Sequence, residues 1–537
     1  MATTSAPARP RLRPALWGLI TTALVAGSAV AATPAAQAST DEITAVNSTL
    51  TITTAGWGHG RGMSQYGANA AAKQGLKYAK IVDFYYSGTK LTNLAGGNKI
   101  RVWLKANGNA NNSALRVMPA KGLRVRDAGG RKFTLPSGKN YTKWRISRSG
   151  EKRVLYYRNS AGKYVKFSDP AFKLKATQNW AFENPSTGTV VLSFPDTSRR
   201  TYRGSLALRF EGSQSIAVNT VAMESYLRSV VPSEMPASWH AEALKAQTVA
   251  ARSYAARYRA NLGGKKTYDI CDTTSCQVYK GISTENSRTD AAITATANKV
   301  LTYKNQYAWT EFSSSNGGYS VKGEHDYIKA KEDPYDASTN QVWAMSVKTS
   351  TIEKKWPKIG TLKSISLKRD GKGRWGGRVT EVTLAGSKGK QTVKGTTFKS
   401  SLGLRETLMK ISGGLATDTA NYTRWQKDFG GSKGALLGVP SGSEQAIAGG
   451  LYAPFEGGAL WWSKETGSKR LSDLANRAYL AAGGPGSKLG FPTSDEAALT
   501  KSKVDGITKG TEVYFEAGLI TCPEKATDPD ACVVSFG

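Results

Sequence analysis

The run Ser229–Tyr258, SVVPSEMPASWHAEALKAQTVAARSYAARY, constrains this chain more than any other stretch. Its first part sets one carboxylate, Glu234, among Val230, Val231 and Met235 and between Pro232 and Pro236. A proline holds its own φ at about −65° and pushes the residue before it out of the helical region. The segment therefore reads as a stiff, non-helical strut. From Ser238 or Trp239 onward the spacing becomes helical, with Ser238 as N-cap and Glu242 in the first turn, where the helix dipole favours an acid. Leu244, Thr248, Ala251, Ala255 and Tyr258 recur at helical intervals and predict one buried stripe. Lys245 and Arg252, seven apart, share another face. One rigidly held acid beside a short cationic face suits an active site; the same residues also suit a surface turn followed by a core helix.

Around this run the chain changes character several times. At 537 residues it is long enough for two to four domains. Arg9, Arg11 and Arg13 precede an apolar run from Leu16 to about Ala32, and Ala36-Gln37-Ala38 offers a small-x-small cleavage site. Residues 1–38 therefore read as a secretory signal peptide, and no later run approaches the length of a membrane span, so no stable span is expected after cleavage. Removing three arginines and no acid takes the net charge from +34 to +31. Such a field favours anionic surfaces. In an exported chain with no nucleic-acid recognition fold, anionic wall polymers are the expected partners and nucleic acid is not.

From Lys99 to Val221 short alternating strands are separated by Gly, Asn, Ser and Asp turns: 100–104, 115–119, 123–127, 152–158, 189–194, 206–210 and 215–221. Before them lies Gly56-Trp57-Gly58-His59-Gly60-Arg61-Gly62-Met63. Its alternating glycines predict an extended segment with Trp57, His59, Arg61 and Met63 projecting from one side. A helix is expected over 70–86, and Phe312–Tyr319 (FSSSNGGY) supplies hydroxyls, an amide and bare backbone in one turn. The four cysteines form two close pairs, Cys271/Cys276 and Cys522/Cys532, which in an exported chain read as disulfides.

Several of these strings together resemble the SpoIID/LytB family of bacterial sporulation and cell-wall proteins: Tyr226-Leu227, Val230–Pro236, Ser238-Trp239, Glu242–Gln247, Val249–Arg252 and Tyr254. Tyr202–Leu206, Cys271–Gly281, the turn at Ser313–Gly318 and a closing helix over 397–409 resemble it too. The GHGRGMSQYGA string resembles a segment that usually lies toward the end of that domain and here comes first. Leu437-Gly438-Val439-Pro440 and Leu489-Gly490-Phe491-Pro492, 52 positions apart, with Phe455–Gly458 and Phe515–Gly518, resemble LGFP repeats of exported wall enzymes.

The resemblance implies an α+β fold: a β-rich SpoIID-type catalytic domain whose central helix carries the signature, followed by a small β-rich repeat domain. The boundaries implied are 39–413 for the first, split into the relocated segment 39–98, a β-rich part 99–221 and the signature core 222–413. The wall-binding repeats follow over 418–537, where Trp461 and Trp462 read either as sugar platforms or as core.

It also implies a secreted lytic transglycosylase acting on peptidoglycan glycan strands without a cofactor, with Glu234 as general acid and then base. Lys245, Gln247, Arg252, Ser314, Ser315, Asn316, Gly317, Gly318 and His59 are the expected substrate contacts, with Glu224 positioning and Glu242 capping the helix or pairing with Lys245. The alternative is a non-catalytic modifier of another cell-wall hydrolase. The resemblance also implies zinc as the rival to a disulfide at Cys271/Cys276, since some members of the family have Cys and His at this position. His59, His240 and His325 form no recognisable ligand set of their own.

Overall fold

The computed structural model describes residues 40–44, 49–96, 98–105, 114–413, 415, 419–429, 436–438, 440–442, 444–499 and 506–537. The expected signal peptide, 1–38, and Val439 lie outside them. The fold is α+β, with many short strands around a few helices.

Two sheets are built from the alternating stretch. One has six strands in the order Tyr164–Lys166, Lys152–Arg158, Lys143–Ser149, Ala114–Val117, Thr189–Ser193 and Arg199–Arg203. The other has seven, in the order Ile270–Cys271, Lys99–Trp103, Gln214–Ala222, Ser205–Glu211, Trp180–Glu183, Arg124–Asp127 and Lys132–Thr134. Alternation turns Leu115, Val117, Trp144, Ile146 and Leu155 of the first sheet, and Val102, Val125, Phe182 and Leu206 of the second, into one shared core. Burying each large apolar side chain stabilises the fold by about 1.5–3 kcal/mol.

The strand Gln214–Ala222 runs directly into helix α3, Met223–Glu234, and helix α4, Ala241–Leu262, follows. Here the structure corrects the expected strut: α3 runs through Pro232 to Glu234. Pro232 lies in the last turn, where it forgoes one backbone bond, and Ser233 Oγ donates 2.7 Å to the Ser229 carbonyl. Pro236 does end the helix, since Met235 before it is extended (φ −133°, ψ 135°). The N-cap of α4 is His240 rather than Ser238; its Nδ1 accepts from the Glu242 amide. The predicted stripe of α4 is buried at Leu244, Thr248, Ala251 and Ala255, but burial is wider than a stripe. Ala251 and Ala255 face α3 and the sheets, while Leu244, Ala246, Val249 and Ala250 pack into a second core.

That second core belongs to the early segment. Instead of one helix over 70–86 there are two, α1 (Gln65–Lys73) and α2 (Tyr78–Tyr85), parted at Gly75, whose φ of 93° suits only glycine. The Ala-rich stretch 289–300, whose composition predicts a single short helix, is instead helix α5 over Ser287–Ala295 followed by the strand Lys299–Tyr303, which takes Val300. The closing helix is Gly395–Leu402, after which Met409–Gly413 is a strand. That strand pairs with Thr49–Ala55, which is thereby held between the end of this region and Val342–Lys348. The N-terminal segment thus joins the sheet that the last strand of the region completes.

The C-terminal stretch contains two four-stranded sheets, built on Gln445–Ser472 and Ala497–Phe536, with the helix Asp473–Ala481 between them in the chain. The duplication is structural as well as sequential. Pro440 bridges to Phe455 and Pro492 to Phe515, and the Leu437 and Leu489 carbonyls accept from Gly457 and Ala517. Trp461 is fully buried, with its indole N–H on Asn476 Oδ1 at 2.9 Å, so it is core; Trp462 is half-buried. Cys522 is bonded to Cys532.

Candidate active site

Glu234 ends α3 half-buried. One carboxylate oxygen accepts from the Val278 backbone N–H at 2.8 Å. Among the described residues no side chain donates to it. The donor loop is shaped locally: Cys271 and Cys276 are bonded to each other, and Gln277 behind them is buried, its amide reaching the Ala251 carbonyl and accepting from Tyr226 Oη. With both thiolates consumed in that bond the residues do not fit the zinc alternative, and no group of three or more His, Cys, Asp or Glu stands ready for a metal among the described residues.

Burial raises the Glu234 pKa above its ordinary value of 4.5, against the opposing pull of the Val278 N–H and of Lys280. The position at a helix C-terminus, the negative end of the dipole, disfavours the anion further.

The early segment packs directly on this acid. Gln65 Nε2 donates to the Glu234 carbonyl at 2.9 Å and to Gln247 Oε1 at 3.3 Å. Tyr66 packs edge-on against Trp239 at 4.9 Å, and Asn69 Oδ1 accepts from the His240 amide. Met63–Ser64 pairs in parallel with Phe312–Ser313. Gly62 permits that approach: a Cβ there would lie 1.9 Å from the Glu311 carbonyl oxygen. The glycine run is not the extended ribbon expected, because Gly56, Gly58, Gly60 and Gly62 all have positive φ. Trp57 and His59 are consequently exposed, Arg61 is half-buried, and Met63 points into the core.

A cleft of about 440 Å3 is lined by Arg61, Tyr254, Trp309, Glu311, Lys322, Gly323, Glu324 and His325. Glu234 is not on that lining; Tyr254, which is, has its pKa raised by burial first and by neighbouring charges that include Glu311 and Glu234. Arg61 grips Glu311 in a fork, at 3.0 and 2.7 Å. His59 accepts from the Arg61 amide on Nδ1; crowding around its ring, then the Arg61 charge, lowers its pKa.

Other expected contacts lie elsewhere. Arg252 is fully buried, its guanidinium forked onto Glu224 at 2.8 and 2.6 Å and bonded to the Lys299 carbonyl, so it presents no cation to a ligand. Lys245 pairs with Glu242 at 2.7 Å, and Glu242 also accepts from the Tyr78 amide; the cationic face dissolves into two ion pairs. Gln247 is buried beneath Gln65. The Ser-Asn-Gly-Gly turn faces inward: Ser315 donates to Asp336, Asn316 to Asp333, and the Gly318 amide to both Asn316 and Asp336. Ser315 and Asn316 are fully buried, while Ser314, Gly317 and Gly318 are half-buried. Sequence reasoning missed Asp333, Asp336, Gln65 and Glu311. Gln65 alone had a signal, its place in the GMSQYGA string.

Residues 211–303 match the SpoIID family model, described as a stage II sporulation protein, and residues 437–487 match the LGFP repeat. The chain therefore carries a SpoIID-family domain with LGFP repeat sequence C-terminal to it. It is 40% identical over 142 residues to the amidase enhancer of Bacillus subtilis (strain 168), 26% of this chain and 17% of that protein. It is 31% identical over 214 residues to stage II sporulation protein D of the same organism, 35% of this chain and 60% of the relative. The chain thus spans 17% and 60% of the length of these two relatives, less than two thirds of either.

Proposed function

We propose that this chain is an exported peptidoglycan lytic transglycosylase that cleaves the β-1,4 bond between N-acetylmuramic acid and N-acetylglucosamine, with Glu234 as its acid and then its base. The observation that carries the proposal is the state of that carboxyl: half-buried, touched by one backbone N–H, with no side-chain cation bonded to it, and so raised in pKa. A general acid must hold its proton at the working pH. Glu234 protonates the glycosidic oxygen as it leaves C1 of the muramic residue. The carboxylate so formed takes the proton of the muramic C6 hydroxyl, whose oxygen closes onto C1. The products are a free N-acetylglucosamine 4-hydroxyl and a 1,6-anhydro end; no water is consumed and Glu234 is protonated again.

Hydrolysing glycosidases need a second free carboxylate. Of the two glutamates that line the cleft, Glu311 is held by Arg61 and Glu324 is exposed, and the proposed reaction calls on neither, since the muramic C6 hydroxyl supplies the nucleophile. In this reading residues 39–413 are the catalytic region, 418–537 bind the wall, and 1–38 direct export. His59, Trp57 and the exposed parts of Ser314, Gly317 and Gly318 are left as glycan contacts. Lys245, Gln247 and Arg252 act by holding α4 in place.

The second reading is a glycan-binding enhancer of another wall hydrolase, favoured by the likeness to a protein named amidase enhancer. Mass spectrometry of purified sacculi digested with the protein separates the two. Soluble fragments with 1,6-anhydro ends support the transglycosylase; reducing ends support a hydrolase; binding with no soluble product supports the enhancer.

A further inference from the structure

The six strands of the Tyr164–Lys166 to Arg199–Arg203 sheet contain no Asp or Glu at all. Its inner face carries the apolar core, with Arg148, Arg153 and Arg200 on that side, while Arg116, Lys143, Arg145, Arg158 and Lys166 stand on the outer one. Register places them in two cross-strand rows. Arg116 lies opposite Arg145, Arg145 opposite Tyr156, and Tyr156 opposite Lys166. In the next row Lys143 lies opposite Arg158, and Arg158 opposite Tyr164. The Arg145 guanidinium is sandwiched by the two tyrosines, 4.5 Å from one ring centre and 4.0 Å from the other. Neighbouring positions in such rows are about 4.8 Å apart across strands and on the order of 6.7 Å along them.

The adjoining seven-stranded sheet has basic strands too, but it neutralises them. Arg124 and Arg126 share Glu183, and Arg101 is forked onto Asp269. In the six-stranded sheet Lys143 and Arg158 face each other across strands instead, and burial, then Arg158, Arg199 and Arg116, holds the Lys143 pKa below its ordinary value, while Arg148 on the inner side pairs with Glu151. Arg203, at the edge, is taken up by Glu285 and is not part of the row. A folded protein that stacks like charges across strands forfeits stability at that face. A bound polyanion restores the balance.

We infer that the outer face of this sheet is a docking surface for a linear phosphodiester-linked polymer of the cell wall, held by Lys143, Arg145, Arg158 and Lys166. Phosphate fits better than a bare glycan, because arginine's planar fork recognises phosphate and stacks on tyrosine at once. The inference rests on the wall location proposed above and is independent of Glu234. It gives the sheet a task apart from the cleft: to hold the enzyme on the polymer-bearing wall while the glycan is cut.

The test uses the mature chain, purified sacculi, and the same sacculi stripped of phosphodiester polymers with hydrofluoric acid. The charge-reversal variant is Lys143→Glu/Arg145→Glu/Arg158→Glu. The milder Lys143→Gln/Lys166→Gln touches neither stacked ring and serves where the first fails to fold. Lys354→Gln/Lys355→Gln, on an exposed helix elsewhere, removes equal charge as a control. The account expects the reversal variant to bind intact sacculi about tenfold more weakly at low salt, the milder one to weaken in the same direction, and the control to match wild type. On stripped sacculi all four proteins should bind alike. Equal binding by wild type and variants on intact sacculi overturns the inference. So does an equal deficit on stripped sacculi, which would assign the face to glycan or carboxylate, or a control that loses as much. Release of anhydro ends from stripped sacculi is read separately; its absence in wild type counts against Glu234 chemistry alone.

Discussion

The two ends of α3 each carry a glutamate, and the helix treats them oppositely. Glu224, in the first turn, is forked onto the buried Arg252, whose guanidinium also bonds the Lys299 carbonyl. It ties α3 to α4 and to the strand Lys299–Tyr303. Glu234, in the last turn, has a backbone N–H and no guanidinium, sits at the unfavourable end of the dipole, and is raised in pKa by burial. The same residue type is a strut where a cation is supplied and, on the proposed reading, a proton donor where one is withheld. On that reading Glu234 is set apart because no cation is bonded to it among the described residues: Arg252 is taken by Glu224, Lys245 by Glu242 and Arg61 by Glu311, and Lys280 acts on it through its charge alone.

That contrast can be attacked at either end. The largest effect is expected from Glu234→Gln, which retains an acceptor for the Val278 N–H but cannot give up a proton. Release of anhydro-muropeptides should fall by about 10²–10⁴-fold, with a melting temperature no lower than wild type, since no buried charge is lost that had a partner. Next, Arg252→Met should leave Glu224 without its fork and cost about 3 kcal/mol in chemical denaturation. A variant that melts like wild type would show that the strut end is dispensable.

Gln65→Ala removes the donor to the Glu234 carbonyl. Losing one such bond is worth about 1 kcal/mol, and turnover should drop by about three- to tenfold with little change in stability, tying the relocated segment to the site. Smallest is Lys280→Gln. Lys280 pulls the Glu234 pKa down, so its removal lets that pKa rise. Activity that needs the protonated acid is present below the raised pKa and lost as pH climbs through it, so the alkaline limb of the rate profile should move to higher pH. A limb that stays or moves lower would remove Glu234 as its source.

Much of this was legible in the chain itself. The alternating stretches at Lys152–Arg158 and Ser205–Glu211 are strands close to the bounds their pattern implies. The two cysteine pairs are disulfides, and Glu234 stood out by its company. What stayed hidden depends on partners distant in sequence. The Ser-Asn-Gly-Gly turn has the chemistry of a sugar contact, and only the arrival of Asp333 and Asp336 turns it inward. Arg252 and Lys245 form a cationic face on a helical wheel, but α4 is buried on nearly all sides and each cation meets an acid. Pro232 argues locally against helix, yet one forgone bond in a last turn costs less than the packing of Val230 and Val231 returns. The glycine run predicts an extended ribbon by alternation alone, whereas four positive φ values coil it around the Glu311 backbone.

The most direct measurement is a carbon-13 NMR titration of the Glu234 carboxyl, assigned by its disappearance in Glu234→Gln. The account predicts a midpoint above the ordinary 4.5, moving higher still in Lys280→Gln. A midpoint at or below 4.5 would mean that the carboxyl is paired after all, and would contradict the claim that this end of α3 holds a proton for the glycosidic bond.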